Sequence, residues 1–73
     1  MEKEKRTVTI ITEYITLGQL LKFAHVIQEG GEAKRYLAEH KVLVNGEEDS
    51  RRGRKLRPGD TVEMESLLVK IAS

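Results

Sequence analysis

The residues with the most chemical potential are five cations in seven positions: Arg51, Arg52, Arg54, Lys55 and Arg57, in the run RRGRKLR. Guanidinium groups are planar and permanently charged, and their forked donors match phosphate oxygens two at a time. Gly53, inside the run, lets the main chain bend close to a ligand. Such a cluster suits a polyanion. It equally suits a solvated loop neutralised by Glu47, Glu48 and Asp49 just before it, and charge alone does not separate the two. Lys34, Arg35 and Lys41 form a second basic group. They matter only if the fold brings them beside the loop; otherwise they are the wet face of a helix.

Other chemistry has little support. The two histidines, His25 and His40, have no cysteine and no His-Glu-x-x-His spacing around them, so no metal site is expected. His40, when protonated, adds a cation near the second basic group. No nucleophile elbow and no phosphate-binding loop of the GxxxxGK type is present. The carboxylates are scattered among basic residues, and 73 residues leave little room for a deep, water-excluding pocket. Neither an enzyme nor a cofactor is expected. The aromatic residues are Tyr14, Phe23 and Tyr36, of which Phe23 and Tyr36 are expected to be core. So few argue against a sheet that stacks unpaired bases one by one. They favour recognition of folded RNA by backbone and shape.

The net charge is only +1, but it is unevenly spread. Residues 1–33 carry net −1, residues 34–57 net +4 and residues 58–73 net −2. A concentrated patch on a near-neutral chain attracts a polyanion locally without making the whole molecule adhesive. The absence of cysteine fits a reducing compartment. The N-terminus MEKEKR is charged with both signs, and no run approaches the roughly 20 apolar residues of a membrane helix. A soluble, cytoplasmic protein with no membrane partner is expected.

The elements that must position these cations are legible in part. One domain over residues 1–73 is expected, with 1–6 disordered. The β-branched run TVTIIT, residues 7–12, reads as a strand with Val8 and Ile10 on one face; Ile11 breaks the alternation and implies cover on both faces. Thr16 and Gln19 have capping-box spacing, with Ile15 and Leu20 placed for a hydrophobic staple. Leu17, Leu20, Leu21, Ala24 and Ile27 continue at helical spacing, and Gly30-Gly31 is expected to stop that helix. A second helix over 32–39 faces Ala33, Tyr36 and Leu37 inward. Val42 to Val44 reads as a strand, Asn45-Gly46 as a tight hairpin turn, and 47–55 as an irregular polar stretch. Leu56 is expected to anchor that stretch to the core. Pro58-Gly59 is a turn, and the alternation of Val62 with Met64, then of Leu67, Val69 and Ile71, predicts the closing strands.

Taken in order, these features resemble the S-four RNA-binding domain, the family named for the fourth small-subunit ribosomal protein. The matches are Leu17, Leu20 and Leu21 of the first helix; Glu32-Ala33-Lys34-Arg35 of the second; Val42-Leu43-Val44-Asn45-Gly46; and Gly59-Asp60-Thr61-Val62. They span residues 16–63, the expected motif core. The stretches GGEAK, VNGE and RRGRKL look similar to small stand-alone bacterial members, the YaaA-like proteins. The resemblance implies an α+β fold: two short helices packed on a small, mostly antiparallel sheet, with an added N-terminal strand. It implies binding to structured RNA, ribosomal RNA in particular, with ribosomal particles as partners and a role in ribosome assembly or maturation. The second helix and the following loop would form the binding face: Lys34, Arg35, Lys41, Arg51, Arg52, Arg54, Lys55 and Arg57. The chain departs from the family pattern in two places. Gly30-Gly31 stands where many members have Ser-Arg, and His40 stands where many have glycine, so one usual RNA-contacting arginine is missing.

Two other readings stay open. The basic loop could dock on an acidic protein. A β-grasp sulfur carrier also has a VNGE turn and a GD-x-V segment at about this length, but its chemistry needs a C-terminal Gly-Gly where this sequence has Ala72-Ser73.

Overall fold

A computed structural model describes residues 3–29 and 31–73. Their elements are β1 (Glu4–Thr9), β2 (Ile15–Thr16), α1 (Leu17–Phe23), α2 (Glu32–Glu39), β3 (Leu43–Val44), β4 (Glu47–Glu48), β5 (Lys55–Leu56), β6 (Thr61–Glu63) and β7 (Leu67–Ala72). Five strands form a sheet in the order β1-β7-β6-β3-β4, and β2 pairs with β5 as a separate two-stranded ladder. Every pairing is antiparallel except β1 with β7. The two helices pack on this mostly antiparallel sheet, as expected for an α+β fold. Leu17, Leu20 and Leu21 of α1, and Ala33 and Leu37 of α2, are buried with Val44, Val62, Val69 and Ile71 of the sheet in one core cluster. Each buried Leu, Ile or Val contributes about 1.5–3 kcal/mol from removing apolar surface from water. No described helix is long and apolar enough to cross a membrane.

The first helix starts as its sequence predicts. The Gln19 amide N–H donates to Thr16 Oγ1 at 3.2 Å, and the Thr16 N–H donates to Gln19 Oε1 at 2.9 Å. Its end differs from expectation. α1 stops at Phe23, not near Gly30-Gly31. His25 takes φ +60°, the Val26 N–H donates to the Leu21 carbonyl at 2.9 Å, and the His25 N–H donates to that of Lys22 at 3.1 Å. This is a Schellman ending with histidine in the left-handed position glycine usually takes. Arg6 reinforces it by donating from Nη1 to the Ala24 carbonyl at 2.7 Å. Ala24 and Ile27 remain buried although they lie beyond the helix. Gly31 serves instead as the N-cap residue of α2, and Gly30 lies outside the described residues.

Three further expectations are corrected. The N-terminal strand begins at Glu4 and ends at Thr9, because main-chain pairing with β7 from Glu4↔Leu67 to Thr9↔Ala72 orders a charged segment that composition reads as disordered. Of the segment expected to lack order, residues 1 and 2 lie outside the described residues. Ile11 is not partly covered but fully exposed, because the chain leaves the sheet after Ile10. Phe23 is half-exposed and not core, being the last residue of the shortened helix.

The turns follow their residue types. Asn45 (φ +52°) and Gly46 (φ +85°) both take the positive φ of a type I′ hairpin turn joining β3 and β4. Gly59 (φ +98°) follows Pro58, and the Asp60 N–H closes that turn on the Arg57 carbonyl at 2.9 Å. The polar stretch after Gly46 is not wholly irregular, since Glu47 and Glu48 form β4. Leu56 is fully buried, so the basic run is pinned to the core at that point as expected.

Candidate nucleic-acid interface

The basic loop is held by its main chain. The first N–H groups of a helix have no partner within the helix. Here Leu17 N–H donates to the Arg54 carbonyl at 2.8 Å and Gly18 N–H donates to the Arg52 carbonyl at 2.9 Å. The β2–β5 ladder adds Ile15↔Leu56 and Thr16↔Lys55. The start of α1 and residues 52–56 are thus bonded together over a continuous stretch of backbone. The fit at Gly18 is close. A Cβ there would lie 3.4 Å from the Arg52 carbonyl oxygen and 3.5 Å from both Arg52 Cβ and Ala33 Cβ.

Asp49 organises the loop from beneath. Its side chain is only 8% exposed. Oδ1 accepts from the Arg51 main-chain N–H at 2.9 Å and from Arg51 Nε at 3.0 Å, while Oδ2 accepts from Arg51 Nη2 at 2.8 Å and from Arg54 Nη1 at 3.3 Å. The hydrogen bond from the Arg51 side chain is the chief cause of a carboxyl pKa lowered to about 2; burial opposes it, and the nearby positive charges of Arg51 and Arg54 assist. A second carboxylate, Asp60, accepts from the Arg57 main-chain N–H at 2.8 Å and from Asn45 Nδ2 at 3.1 Å. Asn45 Oδ1 in turn accepts from the Thr61 N–H at 2.9 Å. Asn45 of the Asn-Gly turn and Asp60 beside the Pro58-Gly59 turn therefore also tie the hairpin tip to the end of the basic loop.

The outcome is an open depression lined by Arg51, Gly53, Arg54, Lys55, Arg57 and Asp60. It presents four cations against one carboxylate. Asp49 occupies Arg51 and Arg54, whereas Arg52, Lys55 and Arg57 form no ion pair among the described residues. The expectation that acidic neighbours balance the loop therefore holds for Asp49 and two arginines; Glu47 and Glu48 form no ion pair with it among the described residues. Lys55 Nζ and Arg57 Cζ lie 5.0 and 5.8 Å from the centre of the Tyr14 ring. That distance is within the range of cation–π attraction.

The second basic group is split. Lys34 follows Ala33, whose Cβ shares with Arg52 the space over Gly18, so the start of α2 adjoins the loop. Arg35 pairs with Glu39 along the helix, Nε to Oε1 at 3.1 Å. Lys41 lines a different depression with Glu39, Glu63 and Glu65. His40 caps α2, with its ring stacked on Tyr36 at a centroid distance of 4.3 Å.

Sequence reasoning misses two residues that shape this surface. Asp49 reads in the sequence only as a counter-charge, although an Asp two residues before a main-chain N–H it can bond is a known turn signal. Tyr14 carries no signal, because its place beside Lys55 and Arg57 depends on the β2–β5 pairing of distant segments.

Comparison with known proteins gives two findings. Residues 8–72 match the S4 domain, beyond both ends of the 16–63 span that carries the motifs. The chain is also 66% identical over 58 residues to a probable ribosome maturation protein, RlbA, of Bacillus subtilis (strain 168), an alignment covering 80% of this chain and 82% of that protein.

Proposed function

The chain belongs to the S4-domain family, and on that premise we propose that it binds structured RNA, ribosomal RNA foremost, and acts in bacterial ribosome maturation without catalysing a reaction. The observation that carries this reading is the depression lined by Arg51, Arg54, Lys55 and Arg57, fixed by main-chain bonds to the start of α1. A loop whose main chain is already fixed loses little backbone entropy on meeting phosphates, and phosphate contacts dominate affinity for nucleic acid. Arg52 and Lys34 extend the array at the seam between loop and α2. Arg35 and Lys41, in other surroundings, add to the long-range field more than to direct binding. The resemblance to a probable ribosome maturation protein of Bacillus supports the same role here, and such work is done in the cytoplasm.

The test is a fluorescence-anisotropy titration of ribosomal RNA hairpins and matched single strands across a salt series. The natural protein is run beside a triple variant, Arg51→Ala, Arg52→Ala and Arg54→Ala. Each phosphate-binding cation removed flattens the log-affinity against log-salt slope by roughly one. Preferential hairpin binding with a flatter slope in the variant is the expected result. Equal, weak binding by both proteins would overturn the reading and make the loop a docking surface for an acidic protein.

A further inference from the structure

Among the described residues, the exposed large hydrophobic side chains are Ile11 (102% exposed), Phe23 (51%) and Tyr14 (38%). All three line one groove, together with Thr9, Ile15 and Gln19. No charged residue lines it, and its polar groups are hydroxyls and an amide. Contiguous exposed apolar surface on a small soluble domain marks a binding site more often than chance exposure does. Tyr14 is the border. Its ring lies 5.0 Å from Lys55 Nζ and 5.8 Å from Arg57 Cζ, and both of those residues line the basic depression.

An apolar groove whose Tyr14 ring lies against two cations of the neighbouring depression fits a ligand with both chemistries in one repeating unit. We propose that the groove receives a single unpaired nucleobase of the RNA whose phosphates occupy the basic depression, with Lys55 and Arg57 holding the phosphate beside that base. The proposal rests on the reading that the basic depression holds RNA. Phe23 and Tyr14 supply aromatic faces and Ile11 an aliphatic one for the base, which stacks or packs there whatever its identity. Gln19 commits its Oε1 to the Thr16 N–H, which leaves its amide NH2 to reach a base edge. Thr9 offers a hydroxyl from the end of β1. The scarcity of aromatic residues argues against a row of stacked bases, but one base needs one platform. The RNA class is therefore a stem interrupted or ended by an unpaired nucleotide.

The experiment uses two hairpins with the same stem, one fully paired and one with a single bulged adenosine. Three proteins are compared by anisotropy: the natural chain, the double variant Ile11→Ser with Phe23→Ser, and the triple arginine variant. The natural chain prefers the bulged stem. The double variant loses that preference, by about 5-fold to 150-fold, the span expected for removing the platform beneath one base. It keeps its affinity for the paired stem and its salt slope. Ile11→Ser alone, at a fully exposed side chain that cannot disturb the core, gives a smaller loss in the same direction. The groove assignment is overturned if the natural chain shows no preference, or if the double variant keeps it, while the triple variant still weakens binding. The groove would then serve a partner such as an amphipathic acidic protein segment. If the triple variant binds both RNAs as the natural chain does, the RNA reading of the basic depression fails, and this inference fails with it.

Discussion

Asp49 is a carboxylate set among the cations of the basic loop, and its geometry gives it a task that outweighs its charge. It bonds the Arg51 main chain and both the Arg51 and Arg54 guanidinium groups. Simple Coulomb reasoning says that removing it makes the surface more positive and binding tighter. Its positioning role says the reverse. Asp49→Ala is expected to weaken hairpin binding several-fold, because the two arginines lose their shared anchor and must be ordered by the RNA instead; tighter binding in the anisotropy assay would show that Asp49 acts only as a counter-charge. The same carboxyl ties stability to pH. Its pKa is lowered to about 2 in the folded chain from an ordinary value near 3.9 when unfolded. Its contribution is therefore complete above about pH 4 and is lost as pH falls through 2. The gap in urea midpoint between the natural protein and Asp49→Ala is expected to be widest above pH 4 and to close towards pH 2. A gap that stays constant over that range would mean the ion pairing contributes nothing. At His25, the left-handed φ of +60° makes a β-branched residue costly, so His25→Val is expected to lose about 1–2 kcal/mol in a denaturant melt, while His25→Gly is tolerated.

At the scale of elements, α1 serves both the core and the loop. Its buried face supplies Leu17, Leu20 and Leu21, and its first N–H groups donate to the loop carbonyls. Thr16→Ala removes one cap acceptor and is expected to lower stability by about 1 kcal/mol. Gly18 separates stability from binding. Gly18→Ala places its Cβ at ordinary contact distance from Arg52 and Ala33 and gains up to about 1 kcal/mol of helix propensity. Gly18→Leu puts further atoms into the same space and displaces Arg52, so hairpin affinity should fall by more than the thermal midpoint does. Parallel melts and titrations of the two variants check this. The start of α1 is legible in the sequence because Thr16 and Gln19 act over three residues. Its end is not, because a histidine gives no warning that it will take a glycine conformation, and the Arg6 hydrogen bond that reinforces the ending comes from 18 residues away. The Asn45-Gly46 turn is legible for the same local reason as the cap. The ladders β2–β5 and β1–β7 are not, since a two-residue strand and a charged parallel strand are defined only by their distant partners. The candidate site divides likewise: the sequence displays its cations, while their fixing by Asp49 and their meeting with Tyr14 depend on loop geometry and long-range pairing.

In the whole molecule, β1 closes one side of the sheet. It covers β7, whose Leu67, Val69 and Ile71 are buried, and it presents the charged run Glu4, Lys5 and Arg6 at the edge. Charged edge strands hinder pairing with other chains. Deleting residues 1–9 is expected to lower the thermal midpoint and to promote self-association through the bared β7, which light scattering would detect; a truncated protein that stays as dispersed as the full chain would show that β1 is not the guard. The other side of the molecule carries a different consequence. Because carbonyls and amides fasten the basic loop to α1, the side chains of Arg52, Lys55 and Arg57 take part in no hydrogen bond to the protein among the described residues. Changes at these three side chains therefore leave the hydrogen bonds of the scaffold in place, and touch only the packing over Gly18 and the contacts with the Tyr14 ring. On the proposed reading, mutation and selection, or a protein engineer, can retune the surface offered to RNA by exchanging a few outward groups, while the architecture that displays them is inherited intact.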